Sequence, residues 1–255
     1  MGFKGSRRRR LMEQPMPVEW SAIVRRRVRY IHLLPAENQE LLEAFIRVFL
    51  DEKPFEGCGG LEISDEIRLT IAGFACILLL GGQSDMYPKL RTILVYPGTY
   101  VAPHTSHRPG GIVSEGLQGR AGESWSMGNI VLSWEDILSD AGNPRRGRNV
   151  VFHEFAHQLD YESGSAQGAP VLPRGTSYSD WARVFEREYE ALIDSAEEGK
   201  PSVLDKYGAT NPAEFFAVAT ECFFLKPAEL ESRHPELYQQ LKLYYRQDPA
   251  RYSQP

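Results

Sequence analysis

The sequence predicts an α+β fold, on three observations. Apolar residues recur at helical spacing from residue 18 to 80, and again from residue 144 to the end. Between these regions lie RTILVYP (91–97) and GNIVLSWEDIL (128–138), which read as strands joined by a long connection rich in Pro, Gly and His. Helix, then sheet, then helix, without alternating βα units, is the pattern of that class.

In chain order, residues 1–16 are expected to be a disordered basic tail, with Arg7 to Arg10 its most charged part, and residues 17–255 a single domain. VEWSAIVRRRV forms the first helix, whose solvated face carries Arg25, Arg26 and Arg27, with Arg29 just beyond. ENQELLEAFIRVFL follows Pro35 as a second helix. A third starts at Ser64, a capping serine followed by the acidic first turn of SDEIRLTIAGFACILLL. Its core, IAGFACILLLGG (71–82), is too short to span a bilayer and reads as a buried helix. After the strands come a helix over the segment NVVFHEFAHQLD (149–160), a Gly-, Ser- and Pro-rich loop at 163–177, a helix from about Ser179 to Ala196, and another from near Asn211. Internal repeats and long low-complexity linkers are absent, which argues for one domain.

Composition narrows the partners. A chain of 255 residues that is 42% hydrophobic can build a substantial core, and a formal charge of −5 gives no general attraction to nucleic acid. The Arg7–Arg10 run leads into MEQPMPVEW and not into an apolar segment, so it is not a signal peptide. Neither a nucleic acid nor a membrane is expected as a partner. Cys58, Cys76 and Cys222 are odd in number and form no CxxC pair, so neither a disulfide framework nor a thiolate metal site is indicated, and a cytoplasmic location fits.

The chemistry lies in NVVFHEFAHQLD. Random occurrence of His-Glu-x-x-His in a chain of this composition is about 0.01 matches. Positions four apart on a helix face the same side, so His153 and His157 can offer two neutral imidazoles to one zinc ion. Glu154, directly after the first, is placed to take a proton from a zinc-activated water and return it to a leaving amine. The rival reading is a structural helix that happens to carry two histidines, and the apolar lead-in NVVF argues against a merely exposed one.

A catalytic zinc needs a third protein ligand. His32 and His234 lie near the chain ends and His104 and His107 in the Pro/Gly-rich connection, so a carboxylate of YGATNPAEFFAVATECFF (207–224) is the better source. Glu214 and Glu221 share a helical face about 10 Å apart along the axis, so only one can reach the metal. Glu214 has a competing role, because with Asn211 as N-cap and Pro212 following it stands where a capping box wants an acid. Spacing does not decide between them. Asp160 and Glu221 are further candidates for orienting an imidazole, against a carboxylate that simply falls near a helix end for Asp160 and a solvated one for Glu221.

HEFAHQLD followed some fifty residues later by YGATNPAEFFAV resembles the Mlc titration factor A family of bacterial zinc peptidases, as do GLEIS (60–64) and VLSWEDIL (131–138). The resemblance runs from about residue 20 to 245 and leaves the arginine run outside. It implies a zincin-like domain related to the catalytic domain of anthrax lethal factor: a small mixed sheet with an edge strand before the motif helix, surrounded by helices. It implies one Zn2+ per chain on His153, His157 and Glu214, the gluzincin pattern, with Glu154 as general base and Tyr207 as donor to the carbonyl oxygen. By analogy, NIVLSWED is an edge along which an extended peptide adds as a strand.

Two functions are compatible with this resemblance. One is an aminopeptidase-like zinc metallopeptidase acting on peptides. The other is a stoichiometric binding protein that sequesters the Mlc repressor and thereby affects glucose phosphotransferase genes, with peptidase activity secondary or absent. A dead peptidase fold is disfavoured, because Glu154 accompanies both histidines.

Overall fold

The computed structural model of the chain describes residues 3–82, 85–98, 122–125, 128–143, 146–164 and 166–252. His104 and His107 lie outside the described residues.

Most of the segment expected to be a basic tail is helical in the structure. Residues Phe3–Glu13 form helix α1. Alone, such an arginine-rich helix would repel itself, but it meets the acidic end of α3 (Ala36–Glu52). Arg7 pairs with Asp51 at 2.5 Å, and Arg8 contacts both Glu52 and Asp85. Arg47 of α3 donates to the carbonyl oxygens of Leu11 and Met12 at 2.9 and 3.1 Å, satisfying the end of α1. The balancing acids stand more than forty residues downstream, which is why local charge alone pointed to a disordered tail.

Helix α2 (Val18–Arg27), a 3-10 turn (Arg29–Leu33) and α3 precede the three-residue strand β1 (Phe55–Gly57). Helix α4 (Asp65–Ile77) starts on the Ser64 side chain, which accepts from the Ile67 N–H, and its apolar run is buried as expected. Strands β2 (Thr92–Tyr96), β3 (Gly122–Trp125) and β4 (Asn129–Ser133) complete a four-stranded mixed sheet of order β1-β2-β4-β3. β1, β2 and β4 are parallel, and β3 runs antiparallel to β4. Register sets Ile93 beside Ile130 and Val95 beside Leu132, all four buried on the core side.

Two expectations for the 128–138 segment are corrected. NIVLS is not an edge, since β4 is paired on both sides, and among the described strands the edges are β1 and β3. WEDIL is not strand but the start of α5 (Trp134–Gly142), because the Ser133 hydroxyl accepts from the Asp136 N–H and begins a helix there. The motif helix α6 (Val150–Tyr161), α7 (Tyr178–Glu197), a 3-10 turn (Lys206–Ala209), α8 (Pro212–Leu225), α9 (Pro227–Arg233) and α10 (Pro235–Tyr245) follow.

A continuous hydrophobic core draws residues from α2 through α10. Its aromatic centre joins the two site helices: Phe152 of α6 and Phe224 of α8 have ring centroids 5.2 Å apart, and Tyr30 meets both edge-on. This packing fixes α6 against α8 and therefore the histidines against the acids.

Candidate metal centre

Helix α6 is buried almost all round. Of residues 150 to 160, only His153 and His157 are not fully buried, so the one open stripe of the helix carries both imidazoles. Its N-terminus is held by three side chains from three segments. Asn149 Oδ1 accepts from the N–H groups of Val151 and Phe152 at 3.0 Å each, and Asp140 of α5 accepts from Val150 at 2.9 Å. Glu221 of α8 accepts from Asn149 at 2.7 Å. Each of these otherwise unpaired donors thus has an oxygen, which fixes where the first turn lies. Burial pushes the Asp140 carboxyl up to about 6, opposed by the Val150 N–H and by Arg148.

Helix α8 supplies both acids. Asn211 caps it by accepting from the Glu214 N–H at 3.0 Å, and Pro212 occupies its first turn. The capping contact therefore uses the Glu214 backbone, while its carboxylate points at the histidines. Glu214 Oε2 lies 2.9 Å from His153 Nε2 and 3.3 Å from His157 Nε2, and the two Nε2 atoms are 3.2 Å apart. The ligand atoms of His153, His157 and Glu214 all fall within 4.8 Å of one another, a group that could hold a metal ion.

The donor set fits a tetrahedral cation. Ligands at zinc's usual bond lengths of about 2.0–2.1 Å are separated along a tetrahedral edge by about 3.3 Å. Three separations of 2.9, 3.2 and 3.3 Å approach that value on all sides. Two imidazole nitrogens that close also need a proton or a cation between them, since facing lone pairs repel.

The charges around the triad agree. Burial opposes protonation of His153, yet its contacts with Glu214 and Glu221 dominate and raise its pKa from 6.5 to about 10. Burial pushes the Glu214 carboxyl up, but the contacts with His153 and His157 outweigh it and hold it well below the usual carboxylate range. The acids around His153 stabilise positive charge on its ring.

The remaining anticipated residues sort by geometry. Glu221, for which solvation was the rival reading, is buried, and its Oε2 lies 3.2 Å from His153 Nδ1. One imidazole thus spans the two turns between the acids, taking Glu214 at one nitrogen and Glu221 at the other. Tyr207, 41% exposed, donates to Glu214 Oε1 at 3.3 Å, with its ring centroid 6.0 Å from that of His153. Glu154 is buried at 3% exposure beside the triad. The Asp160 carboxylate holds the following loop, accepting from Gly168 at 2.7 Å and Ala169 at 2.9 Å, and lies near enough to His157 to feel its charge. His32 and His234 are engaged elsewhere, with the Arg25 carbonyl and with Glu188. Sequence reasoning missed Asn149 and Asp140. A capping Asn directly before an apolar helix was the available signal for the first, whereas Asp140 has none.

A His-Glu-x-x-His helix whose two imidazoles meet one carboxylate from a second helix defines the class: a metallopeptidase-like protein with a candidate metal centre. The chain belongs to the glucose-regulated metallo-peptidase M90 family, whose sequence profile matches residues 3–246 and so includes the arginine run that the resemblance left out. It is 43% identical to an uncharacterized protein of Synechocystis sp. over 95% of the chain and 89% of that protein. It is 33% identical to Mlc titration factor A of Pectobacterium atrosepticum over 85% of the chain and 82% of that protein. Mlc titration factor A of Klebsiella pneumoniae is 33% identical over 86% and 82%.

Proposed function

We propose that the chain is a zinc-dependent metallopeptidase with aminopeptidase-like activity in the cytoplasm. The observation that carries the reading is the closed triangle of His153 Nε2, His157 Nε2 and Glu214 Oε2. A zinc ion held there by these three residues supplies Lewis acidity beside the peptide carbonyl. Glu154 takes the proton of the attacking water and passes it to the departing amine. Tyr207 turns its hydroxyl from Glu214 to the developing oxyanion. Of the two edge strands among the described residues, β3 packs against α6, so an extended peptide adding to β3 would lie beside that helix.

A second reading rests on the name shared by two relatives. In it the chain binds an Mlc-type repressor stoichiometrically, linking it to glucose phosphotransferase genes, with hydrolysis secondary. The test for the first reading is chelation. Purified chain should carry about one zinc and hydrolyse short peptides, lose hydrolysis on exhaustive chelation and regain it with added zinc. Hydrolysis that survives complete metal removal would take the metal out of the mechanism.

A further inference from the structure

Away from the metal centre, an open cavity of about 400 Å³ lies between the loop that precedes α7 and the end of α10, lined among others by Pro173, Arg174, Lys242, Leu243, Arg246 and Asp248. We propose that this cavity binds a phosphate monoester carried on a small molecule with an apolar flank.

Charge is the first support. Asp248, the acid in the lining, accepts from Tyr238 at 2.6 Å and pairs with Lys242 at 2.5 Å. Arg174 and Arg246 have neither an ion pair nor a hydrogen bond among the described residues, so two guanidiniums face the cavity uncompensated. Guanidinium is suited to bidentate contact with phosphate.

Conformation is the second. Arg246 caps α10 in the left-handed region, with φ 49° and ψ 36°. Glycine is the favoured residue there, because a side chain strains that backbone. Met86 and Tyr87 share this conformation, but both are buried in the core, whereas Arg246 is exposed and extends from the fold at a strained position. Strain of this kind collects at functional sites.

The third is rigidity. The buried Gln247 amide donates to the Ile77 carbonyl at 2.9 Å, anchoring the turn that carries Arg246. Gly81 packs so closely on Tyr245 that an added Cβ would lie 1.9 Å from its carbonyl oxygen. Arg174 is likewise held in a tight turn, closed by the Thr176 N–H donating to Pro173 O at 3.1 Å with Gly175 at φ +88°. Both cations are therefore presented by fixed backbone, which lowers the ordering cost of binding. Pro173 and the exposed Leu243 add an apolar wall against which a non-polar substituent can lie.

The experiment is calorimetric titration of the zinc-loaded chain with phenyl phosphate, inorganic phosphate and benzoate. Phenyl phosphate should bind most tightly, inorganic phosphate more weakly for want of the flank, and benzoate weakest for want of the second charge. Arg246→Gly and Arg174→Gln should each weaken phenyl phosphate binding at least tenfold. Arg246→Gly should also leave Tm unchanged or raise it by up to about 3 °C, since the backbone strain is relieved. Parent-like binding by either variant, an order led by benzoate, or no binding of any probe to the parent overturns the proposal. A lowered Tm with parent-like binding would assign Arg246 to structure instead.

Discussion

At the scale of single residues, the metal centre is two acids sharing one imidazole. The His-Glu-x-x-His spacing was legible because helical geometry alone puts His153 and His157 on one side. The choice between Glu214 and Glu221 was not, since both lie on the same face of α8 and only the placement of α6 decides which nitrogen each acid meets. Glu214 touches both Nε2 atoms, whereas Glu221 touches Nδ1 of His153 and the Asn149 N–H. We therefore expect Glu214→Gln to abolish tight zinc binding and Glu221→Gln to weaken it by about 10–100-fold, the range for partners that orient a ligand. Metal content after dialysis against a zinc buffer distinguishes them, and parent-like retention by Glu214→Gln would remove it from the ligand set. The protonation of His153 adds a pH dependence. Its pKa in the metal-free fold stands near 10 against 6.5 for the ordinary imidazole, so its ion pairs stabilise that fold fully below about pH 6.5 and cease to as pH rises through about 10. Zinc must displace that proton, so zinc affinity should climb steadily between pH 6.5 and 9, readable by competition with a chromophoric chelator whose own pH dependence is known. A flat profile would show that His153 is already neutral.

At the scale of elements, most local signals were legible, one local cap was overlooked, and contacts between residues distant in sequence were not legible. The capping residues Ser64, Asn211 and the strand pattern of β2 act within a few residues, so α4, α8 and β2 stand where the sequence placed them. WEDIL was misread as a continuation of the NIVLS strand, although Trp134, Ile137 and Leu138 have helical spacing and the Ser133 cap begins a helix there. β1 and β3 are three and four residues long, too short for any periodicity. α1 was misread for the opposite reason: its partners Asp51, Glu52 and Asp85 are remote in sequence. Its docking is testable. Arg8 and Glu52 are largely shielded from water, while Asp85 is 69% exposed and adds little. Arg8→Ala removes the hydrogen bonds that Arg8 gives to both carboxylate oxygens of Glu52 and should lower stability by about 1–3 kcal/mol, or roughly 3–8 °C in Tm. Adding Glu52→Gln should recover part of that loss. Thermal melting that is unaffected by Arg8→Ala would mean α1 is not held by these pairs.

At the scale of the whole molecule, the open question is whether one surface serves both proposed functions. The aromatic core ties α6 to α8 and so fixes the candidate metal centre within the fold, whereas the proposed repressor binding could use that cleft or a separate face. Glu154 separates the two experimentally. It is buried beside the triad without belonging to it, so Glu154→Gln should keep zinc and Tm while turnover falls by about 10²–10⁴-fold, the usual contribution of a general base. Binding of an Mlc-type repressor, if it occurs on an outer face, should survive, because a buried cleft residue is a poor anchor for a partner that docks elsewhere. The measurement is a paired one, peptide hydrolysis and repressor pull-down on the same Glu154→Gln preparation with zinc content verified. Hydrolysis lost with binding kept places catalysis and sequestration on different surfaces of one rigid fold. Loss of both, with zinc and fold intact, would make the cleft itself the docking surface, and the repressor would then compete with peptide for the candidate metal centre.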